Sequence, residues 1–460
     1  MSITSLVNTK GLSKSAVTPV GSSSRMARDP WAPNYELIIY GGPGAKPYAV
    51  SDKIKTYIDS VTFEDNADQF DKMTITMSSQ IDDFGGGEIN SLIDSRLFTE
   101  GHIVEIQMGF GGSLFTVGAA DIVSISPTFP QDGPPTLTIV GYDLLHRSSR
   151  RKPRSGVTYT GFRDSQIASI IGSRNGFDIK TNEAASFAGI KRVAGVKPRA
   201  PQKKGVSDYT YLKKIADING FDLFSKWDTK RRKFGLFFQP PPTKNNREVF
   251  VFAYNEGDLG YNDTLLSFTP KLEAHDQATD FEVFVSNNKT SSSTTHKPMD
   301  RLSVEEAKLP KADTEVRFTG ANIGPRGGKK PKTEDGIQVA FKAYGRSFAF
   351  PPHKRFKNEA DAKKSIEEFI KRQKEGFITG EGRLIGKEVL QSRQVHRLEG
   401  ISEQFSGRYY FTKVTHTMSK SEGYFTDFSA RKVIEDVVVQ ATPQLSLSDT
   451  DKRFRKLKGI

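Results

Sequence analysis

Between Asn34 and Arg147 apolar residues recur at every second position over short runs, and glycine or proline closes most of those runs. Side chains alternate faces along a strand, so a period of two makes half-buried strands and excludes amphipathic helices from this stretch. Tyr35 to Tyr40 forms one run and stops at Gly41-Gly42-Pro43-Gly44, a turn signal. Val61 and Phe63, then Met73, Ile75 and Met77, then Val104, Ile106 and Met108 repeat the alternation. Leu114 to Val117 and Asp121 to Ser126 are expected as two further strands, and Thr136 to Gly141 as the next, after the Gly133-Pro134-Pro135 turn. Several short strands with this punctuation predict a closed antiparallel barrel or a sandwich.

The period changes after Arg147-Ser148-Ser149-Arg150-Arg151-Lys152-Pro153-Arg154, a basic, proline-containing stretch that marks a domain boundary. Asp164 or Ser165 is placed to cap a helix carrying Ile167, Ile170 and Ile171 on one face. Asn175-Gly176 ends it, because glycine tolerates the left-handed conformation of a helix terminus, and Phe177-Asp178-Ile179 follows as a strand. The same order recurs 44 residues later. Ser207 or Asp208 caps a helix with Tyr211, Leu212 and Ile215 inward, Asn219-Gly220 ends it, and Phe221-Asp222-Leu223-Phe224 begins a strand. Asn-Gly-Phe-Asp in the same slot twice predicts two related helix–strand units. The second continues as a hairpin, turning at Asp228-Thr229 and returning through Phe234 to Phe238.

From Arg247 to Phe284 the pattern is β again, followed by a polar excursion from Ser286 to Thr333. A third helix is expected from an Asn358 N-cap through Ala362, Ile366, Phe369 and Ile370 to Gly376. The closing β block includes Tyr409–Val414 and Tyr424–Phe428, bent at Gly407 and Gly423. The segment Met1–Arg28, rich in Ser, Thr, Gly and Val, is a flexible arm or plain disorder and lacks the apolar centre of a signal peptide. A polar tail after Ile434 ends in the basic run Lys452–Lys458.

Composition narrows the chemistry. At roughly 100–200 residues per domain the chain has room for two to four domains, yet only 36% of its 460 residues are hydrophobic. Such a chain either carries long solvated segments or completes its burial against other subunits. The absence of cysteine excludes disulfide scaffolds, thiolate zinc sites, iron–sulfur clusters and cysteine nucleophiles, and suits assembly in a reducing cytosol. Apolar runs such as Val437-Val438-Val439 are far shorter than the ~20 residues of a spanning helix.

Catalytic patterns fail on spacing. The seven histidines, at 102, 146, 275, 296, 353, 396 and 416, stand singly, with no i, i+4 metal pair. His146, after Leu144-Leu145, is expected to pack. Gly382 and Gly386-Lys387-Glu388 miss the phosphate-loop spacing and its hydroxyl, as do the glycines around Gly328-Lys329. There is no Gly-x-Ser-x-Gly elbow. Glu422, in Ser421-Glu422-Gly423-Tyr424, resembles the setting of a muramidase acid but falls on a turn between strands. No catalytic, cofactor-binding or metal-ligating residue is therefore assigned. The 67 Lys and Arg exceed the 54 Asp and Glu by 13. That surplus would favour a polyanion nonspecifically. It is dispersed over Arg150–Lys152, Lys203-Lys204, Lys230–Lys233, Lys329-Lys330 and the C-terminal run, without a nucleic-acid-binding motif. Solvated linkers or contacts to acidic faces of partner subunits account for it better.

Phe98-Thr99-Glu100-Gly101-His102-Ile103-Val104-Glu105-Ile106-Gln107-Met108-Gly109-Phe110 and Phe129-Pro130 leading to Pro135–Asp143 resemble the late control D proteins of contractile phages. This is the baseplate hub family, to which the base of VgrG-like type VI secretion spikes is also similar. Asp164–Ala168 with Ile171, Ser207–Leu212 with Ile215-Ala216 and Gly220-Phe221, and Gly407–Val414 with His416 and Gly423–Thr426 extend the resemblance in order. It implies a mainly β chain with an α+β middle: two tube-like antiparallel β-barrel domains around a helix–strand hub domain, three subunits forming a ring. The corresponding divisions are an arm at 1–33, a first barrel at 34–147, the α+β domain at 148–249, a second barrel at 250–432 with the excursion at 286–333, and a tail at 433–460. The resemblance implies a structural, non-enzymatic hub of the virion baseplate, assembled in the bacterial host cytoplasm without cofactor or membrane insertion. Its partners would be its own two copies, a hexameric tail tube ring above and a trimeric central spike below. Tape measure and wedge proteins are further candidates, and the genome would cross the central channel. The arm and the excursion are longer than a minimal hub needs, and no spike module or lysozyme-like segment follows the second barrel. Alternatives are the hub of a phage-like injection or type VI-like system, a basic nucleic-acid-binding protein, and a cell-wall hydrolase using Glu422.

Overall fold

The computed structural model describes residues 32–41, 46–79, 97–179, 190, 201–240, 250–254, 265–275, 277–278, 280–285, 300–303, 333–334, 344, 348–349, 355–356, 376–402, 404–433 and 439–440. The expected arm, the third helix from Asn358, the basic C-terminal run and most of the 286–333 excursion lie outside the described residues.

Period-two alternation becomes β1 (Pro33–Tyr40), β2 (Tyr48–Ala49), β3 (Ile58–Asn66), β4 (Lys72–Ser78), β5 (Ile103–Phe110), β6 (Ser113–Thr128) and β7 (Thr136–Tyr142), with one helical turn, α1 (Asp52–Lys55), before β3. Met73, Ile75 and Met77 of β4 point inward with Val61 and Phe63 of β3 and Val104, Ile106 and Met108 of β5, forming the first core. One expectation is corrected here. The two strands anticipated at 114–117 and 121–126 are a single 16-residue strand. Its first half pairs with β5 and its second half with β7, and Asp121 faces both Ile103 and Tyr142 at the corner. Gly118 permits the bend to close: a Cβ there would lie 2.0 Å from the Phe63 ring.

The middle region begins with α2 (Leu145–Arg150), so the basic stretch anticipated as a linker starts as a helix, its Ser148 buried. Helices α3 (Asp164–Arg174) and α4 (Asp208–Asn219) follow at the expected places. The caps differ in detail. Arg163 is the N-cap of α3, closed by the Gln166 side chain on the Arg163 N–H, whereas Ser207 caps α4 by accepting from the Thr210 N–H. Phe177-Asp178-Ile179 is no strand but one parallel bridge, Asp178 to Gly235. The hairpin is β8 (Asp222–Asp228) and β9 (Lys233–Gln239). Its Phe234, Leu236 and Phe238 meet Ile167, Ile171, Leu212 and Ile215 of the helices in a second core.

Strands β10 (Val251–Ala253) and β11 (Leu265–Leu272) open the last region, and backbone pairings join the short β12 (Asp280–Val285), β13 (Asp300–Ser303), β15 (Phe348–Ala349) and β16 (Arg355–Phe356). β14 (Thr333–Glu334) pairs with β21 (Val439–Gln440). The third core, with Phe252, Phe377, Leu384, Leu398, Tyr409, Phe411 and Phe428, is built on β17 (Ile378–Ile385), β18 (Val395–Glu399), β19 (Gly407–Ser419) and β20 (Gly423–Lys432). Gly423 (φ +86°) sits at the β19–β20 turn.

The two β regions are one sheet. The N-terminal part of β19 carries β18 on one edge, and its C-terminal part carries β3 on that edge, with Lys413–Ser419 facing Asn66–Ser60. The strand order is β11-β17-β20-β19-β3-β4-β7-β6-β5-β1-β2, antiparallel throughout. Among the described residues this ladder is open, and no pairing closes either half into a barrel.

Candidate functional site

Where the three regions meet, ionisable side chains are buried together. Asp65 ends β3, Asp71 precedes β4 and Asp143 follows β7. Against them stand the buried Arg393 from the β17–β18 loop and the half-buried Lys226 of β8. Arg393 Nη1 donates to Asp65 Oδ1 at 3.0 Å, and the Ser392 N–H donates to Asp65 Oδ2 at 3.0 Å. Arg393 holds a positive φ of 64°, a conformation costly for a non-glycine residue, which indicates that its surroundings dictate its place. Its guanidinium lies 4.2 Å from the Phe224 ring centroid. Ser225 Oγ donates to Asp143 Oδ2 at 3.0 Å, and the Leu145 N–H donates to Asp143 Oδ1 at 3.0 Å. Three buried carboxyls thus face two cations.

The protonation states follow from that imbalance. Burial alone would push Asp65 up, but Arg393, Lys226 and the Ser392 hydrogen bonds override it and hold the carboxyl below its ordinary value. Burial, with Asp65 and Asp143 nearby, raises Asp71 well above the carboxylate range. Burial pushes Asp143 up to about 7. Burial favours the protonated forms of Asp71 and Asp143, at Asp71 with neighbouring carboxylates adding to it, whereas Arg393 favours the charged form of Asp65.

A second buried carboxylate seats the α+β region on the first sheet. Glu105, fully buried in β5, accepts from Tyr40 Oη (2.7 Å), Thr116 Oγ1 (2.7 Å) and Trp227 Nε1 (3.0 Å). Tyr40 and Trp227 also meet edge-on, ring centroids 5.1 Å apart. The hairpin β8–β9 therefore covers the outer face of β1, β5 and the start of β6. The outer faces of β7, β4, β3, β19, β20 and β17 carry half-buried to exposed residues, mostly polar, with Val140, Phe425 and Ile385 among them. A depression of about 440 Å³ lies on this face, lined by Thr269, Glu381, Arg383, Lys413, Thr415 and Asp427 among others.

These buried networks join the regions of the chain to one another. Of the histidines described, His416 is buried and bonds Tyr424 Oη (2.9 Å) and the Leu390 carbonyl (3.0 Å). His396 is enclosed by Phe250, Phe252 and Phe411. His146 does more than pack: its Nε2 is 3.3 Å from Asp121 Oδ2, which also accepts from Arg147 Nε at 2.6 Å. His296 and His353 lie outside the described residues. Among the described residues no cluster of His, Asp and Glu could hold a metal ion, and no helix is long and apolar enough to cross a membrane. Glu422 sits on the exposed β19–β20 turn, 3.5 Å from Arg383 Nη1, without the apolar enclosure that readies a carboxyl as an acid. The basic run Lys230–Lys233 is partly engaged: Arg231 pairs with Asp178 at 3.1 Å, and Arg232 lies over Tyr40. The residues that join the regions, Asp65, Asp143, Arg393 and Glu105, were not singled out by sequence. Glu105, between the inward Val104 and Ile106, falls on the outward phase of β5, where a charged residue is ordinary, so the sequence carries no mark of its burial.

No family model matches the chain, and no curated protein matches it. Solved structures do. A tail protein from Neisseria meningitidis superposes with a TM-score of 0.52 at 9% identity, over 88% of this chain and 99% of that one. A 43 kDa tail protein of prophage MuSo2 from Shewanella oneidensis also gives 0.52, at 12% identity, over 88% and 100%. An Escherichia coli component of the type VI secretion system aligns over 84% of this chain and 76% of its own, at 8% identity and a TM-score of 0.45. The chain has the fold of phage tail proteins.

Proposed function

We propose that this chain is the structural hub of a contractile-tail baseplate, without catalytic activity. Three copies would form a ring in which each contributes two tube-like domains, near 34–147 and 250–432. The ring would match a hexameric tail tube on one side and a trimeric central spike on the other. Its place would be the virion tail, after assembly in the host cytoplasm, with tape measure and wedge proteins as further neighbours and the genome crossing the channel.

The observation that carries this reading is the β3–β19 pairing, which welds two β regions into one continuous sheet. An adaptor that presents two similar surfaces per subunit needs them rigidly related. Seven paired positions between strands some 350 residues apart, backed by the buried Asp65–Arg393 pair, supply that rigidity. The tail-protein fold over most of the chain supports the same reading. An apolar content of 36% fits a subunit that buries further surface on association.

A symmetry-resolved electron-microscopy map of the native particle tests it. Three copies between tube and spike are expected. Six copies, a position outside the axis, or a chain absent from purified particles would overturn the proposal.

A further inference from the structure

Two basic runs that are separate in the sequence, Arg150–Arg154 and Lys203-Lys204, lie side by side in the fold. The chain leaving α2 runs antiparallel to the chain entering α4. The Asp208 N–H donates to the Arg151 carbonyl at 3.0 Å, and the Gly205 N–H donates to the Pro153 carbonyl at 3.4 Å. Val157 and Gln202 exchange two bonds of 2.9 Å. Arg150, Arg151, Lys152, Arg154, Lys203 and Lys204 are all exposed along this seam.

The seam is pinned, so it is not a loose solvated linker. Beneath it Gln202 is fully buried, and the Asp208 carboxylate accepts from Arg174, Asn175 and Gln202 inside the fold. Arg151 donates to the Arg174 carbonyl at the end of α3, which orients the guanidinium without neutralising it. Among the described residues none of the six cations meets a carboxylate. By contrast, the exposed Arg383, Arg397 and Lys420 lie 2.7, 2.5 and 3.1 Å from Asp427, Glu399 and Asp59. Like charges gathered this closely repel one another in the isolated chain and attract an anionic surface.

Three features define that surface. No aromatic side chain stands among the cations on either segment, so the seam offers no platform on which a base could stack. Residues 150–154 span at most ~17 Å even when extended, the footprint of one protein contact rather than of a track along a nucleic acid. Every copy of this chain carries the same 13 surplus cations, which makes a different polypeptide the better source of carboxylates. Exposed guanidinium and ammonium groups then supply orientation and a fast encounter.

Resting on the tail-assembly reading above, we propose that this seam docks a carboxylate-rich face of a different protein of the particle.

A carbodiimide, which joins a lysine amine to a touching carboxylate as an amide, tests this in purified particles. Mass spectrometry is expected to recover Lys152, Lys203 or Lys204 joined to Asp or Glu of another polypeptide. Acetylation of these three lysines, rapid in the isolated protein, is expected to be lost in particles. Acetylation in particles at the rate of the isolated protein would leave the seam facing solvent and overturn the inference. Protection that a nuclease removes would assign the seam to a nucleic acid, and cross-links to this chain's own carboxylates alone would assign it to a second copy. Either result overturns it. All three leave the hub reading standing, whereas absence of the chain from particles removes both. A variant carrying Lys152→Glu, Lys203→Glu and Lys204→Glu, changed only at exposed positions, is expected to be lost from particles. Lys→Arg at the same three positions should enter them but yield no cross-link, because the charge stays and the amine does not. Entry of the Glu variant at the native level would overturn the proposal.

Discussion

Asn219, the last residue of α4, donates from Nδ2 to Oδ2 of Asp164, the first residue of α3, at 2.7 Å. The reverse bond exists as well: Asn175, closing α3, donates to Oδ2 of Asp208, which opens α4, at 2.8 Å. Each amide also donates to a carbonyl one turn back in its own helix, Ile215 and Ile171 respectively. The repeated Asn-Gly thus does two jobs. The glycine takes a positive φ, 63° at Gly220 and 87° at Gly176, and the asparagine ties the helix end to the carboxylate at the start of the other helix. A carboxylate there also favours the helix N-terminal dipole.

Asn219→Ala is therefore expected to destabilise by about 1–3 kcal/mol, because it removes a hydrogen bond to the buried Asp164 carboxylate. Asn219→Asp should cost more, placing two carboxylates together. Denaturant titration should show a lower midpoint with unchanged slope. Additive losses in Asn219→Ala, Asp164→Ala and the double variant would contradict direct coupling.

The repeat was legible because helix ends obey local rules and sequence records them. Strand existence was legible for the same reason: Met73, Ile75 and Met77 alternate whatever they pair with. Strand partnership was not. Nothing near Glu64 or Thr415 says that they face each other, since pairing is settled by the whole sheet. The bend of β6 was missed because Gly118-Ala119-Ala120 interrupts the alternation, which on sequence alone ends a strand. Asp65 and Arg393, 328 residues apart, carry no local mark that they form one buried pair.

That pair yields a second expectation. Arg393→Ala leaves Asp65, Asp71 and Asp143 buried without their main cation and should cost about 3–5 kcal/mol. Adding Asp65→Ala should recover part of the loss. Thermal unfolding of the two variants checks this, and a double variant less stable than Arg393→Ala would contradict it.

Packing against glycine gives a third. A Cβ at Gly118 would lie 2.0 Å from the Phe63 ring, and one at Gly386 equally close to the Tyr424 ring. Gly118→Ala should destabilise by roughly 1–3 kcal/mol through displacement of the ring from the core. Phe63→Leu in the same chain should offset part of that cost, because the smaller side chain vacates the space. A Gly118→Ala protein with native unfolding behaviour would show that the ring swings away freely.

Stability should depend on pH through two opposing sets of groups. Burial holds His416 down at about 4, against its Leu390 hydrogen bond, and burial with Lys387 nearby holds His396 at about 3. Both are depressed below the ~6.5 of an unfolded histidine. The unfolded chain therefore takes up protons first as pH falls, and stability drops from about pH 6.5 toward pH 4 and below. For His416 the full loss is on the order of 3 kcal/mol at ~1.4 kcal/mol per unit. Asp143 works the other way. Its folded value near 7 exceeds the unfolded ~3.9, so its contribution is present in acid and is lost as pH rises through about 4 to 7. His416→Gln should flatten the acid limb of a stability–pH curve, and Asp143→Asn should improve stability at pH 8 relative to pH 5. An Asp143→Asn curve parallel to that of the native chain would show that the carboxyl titrates alike in the folded and unfolded chain.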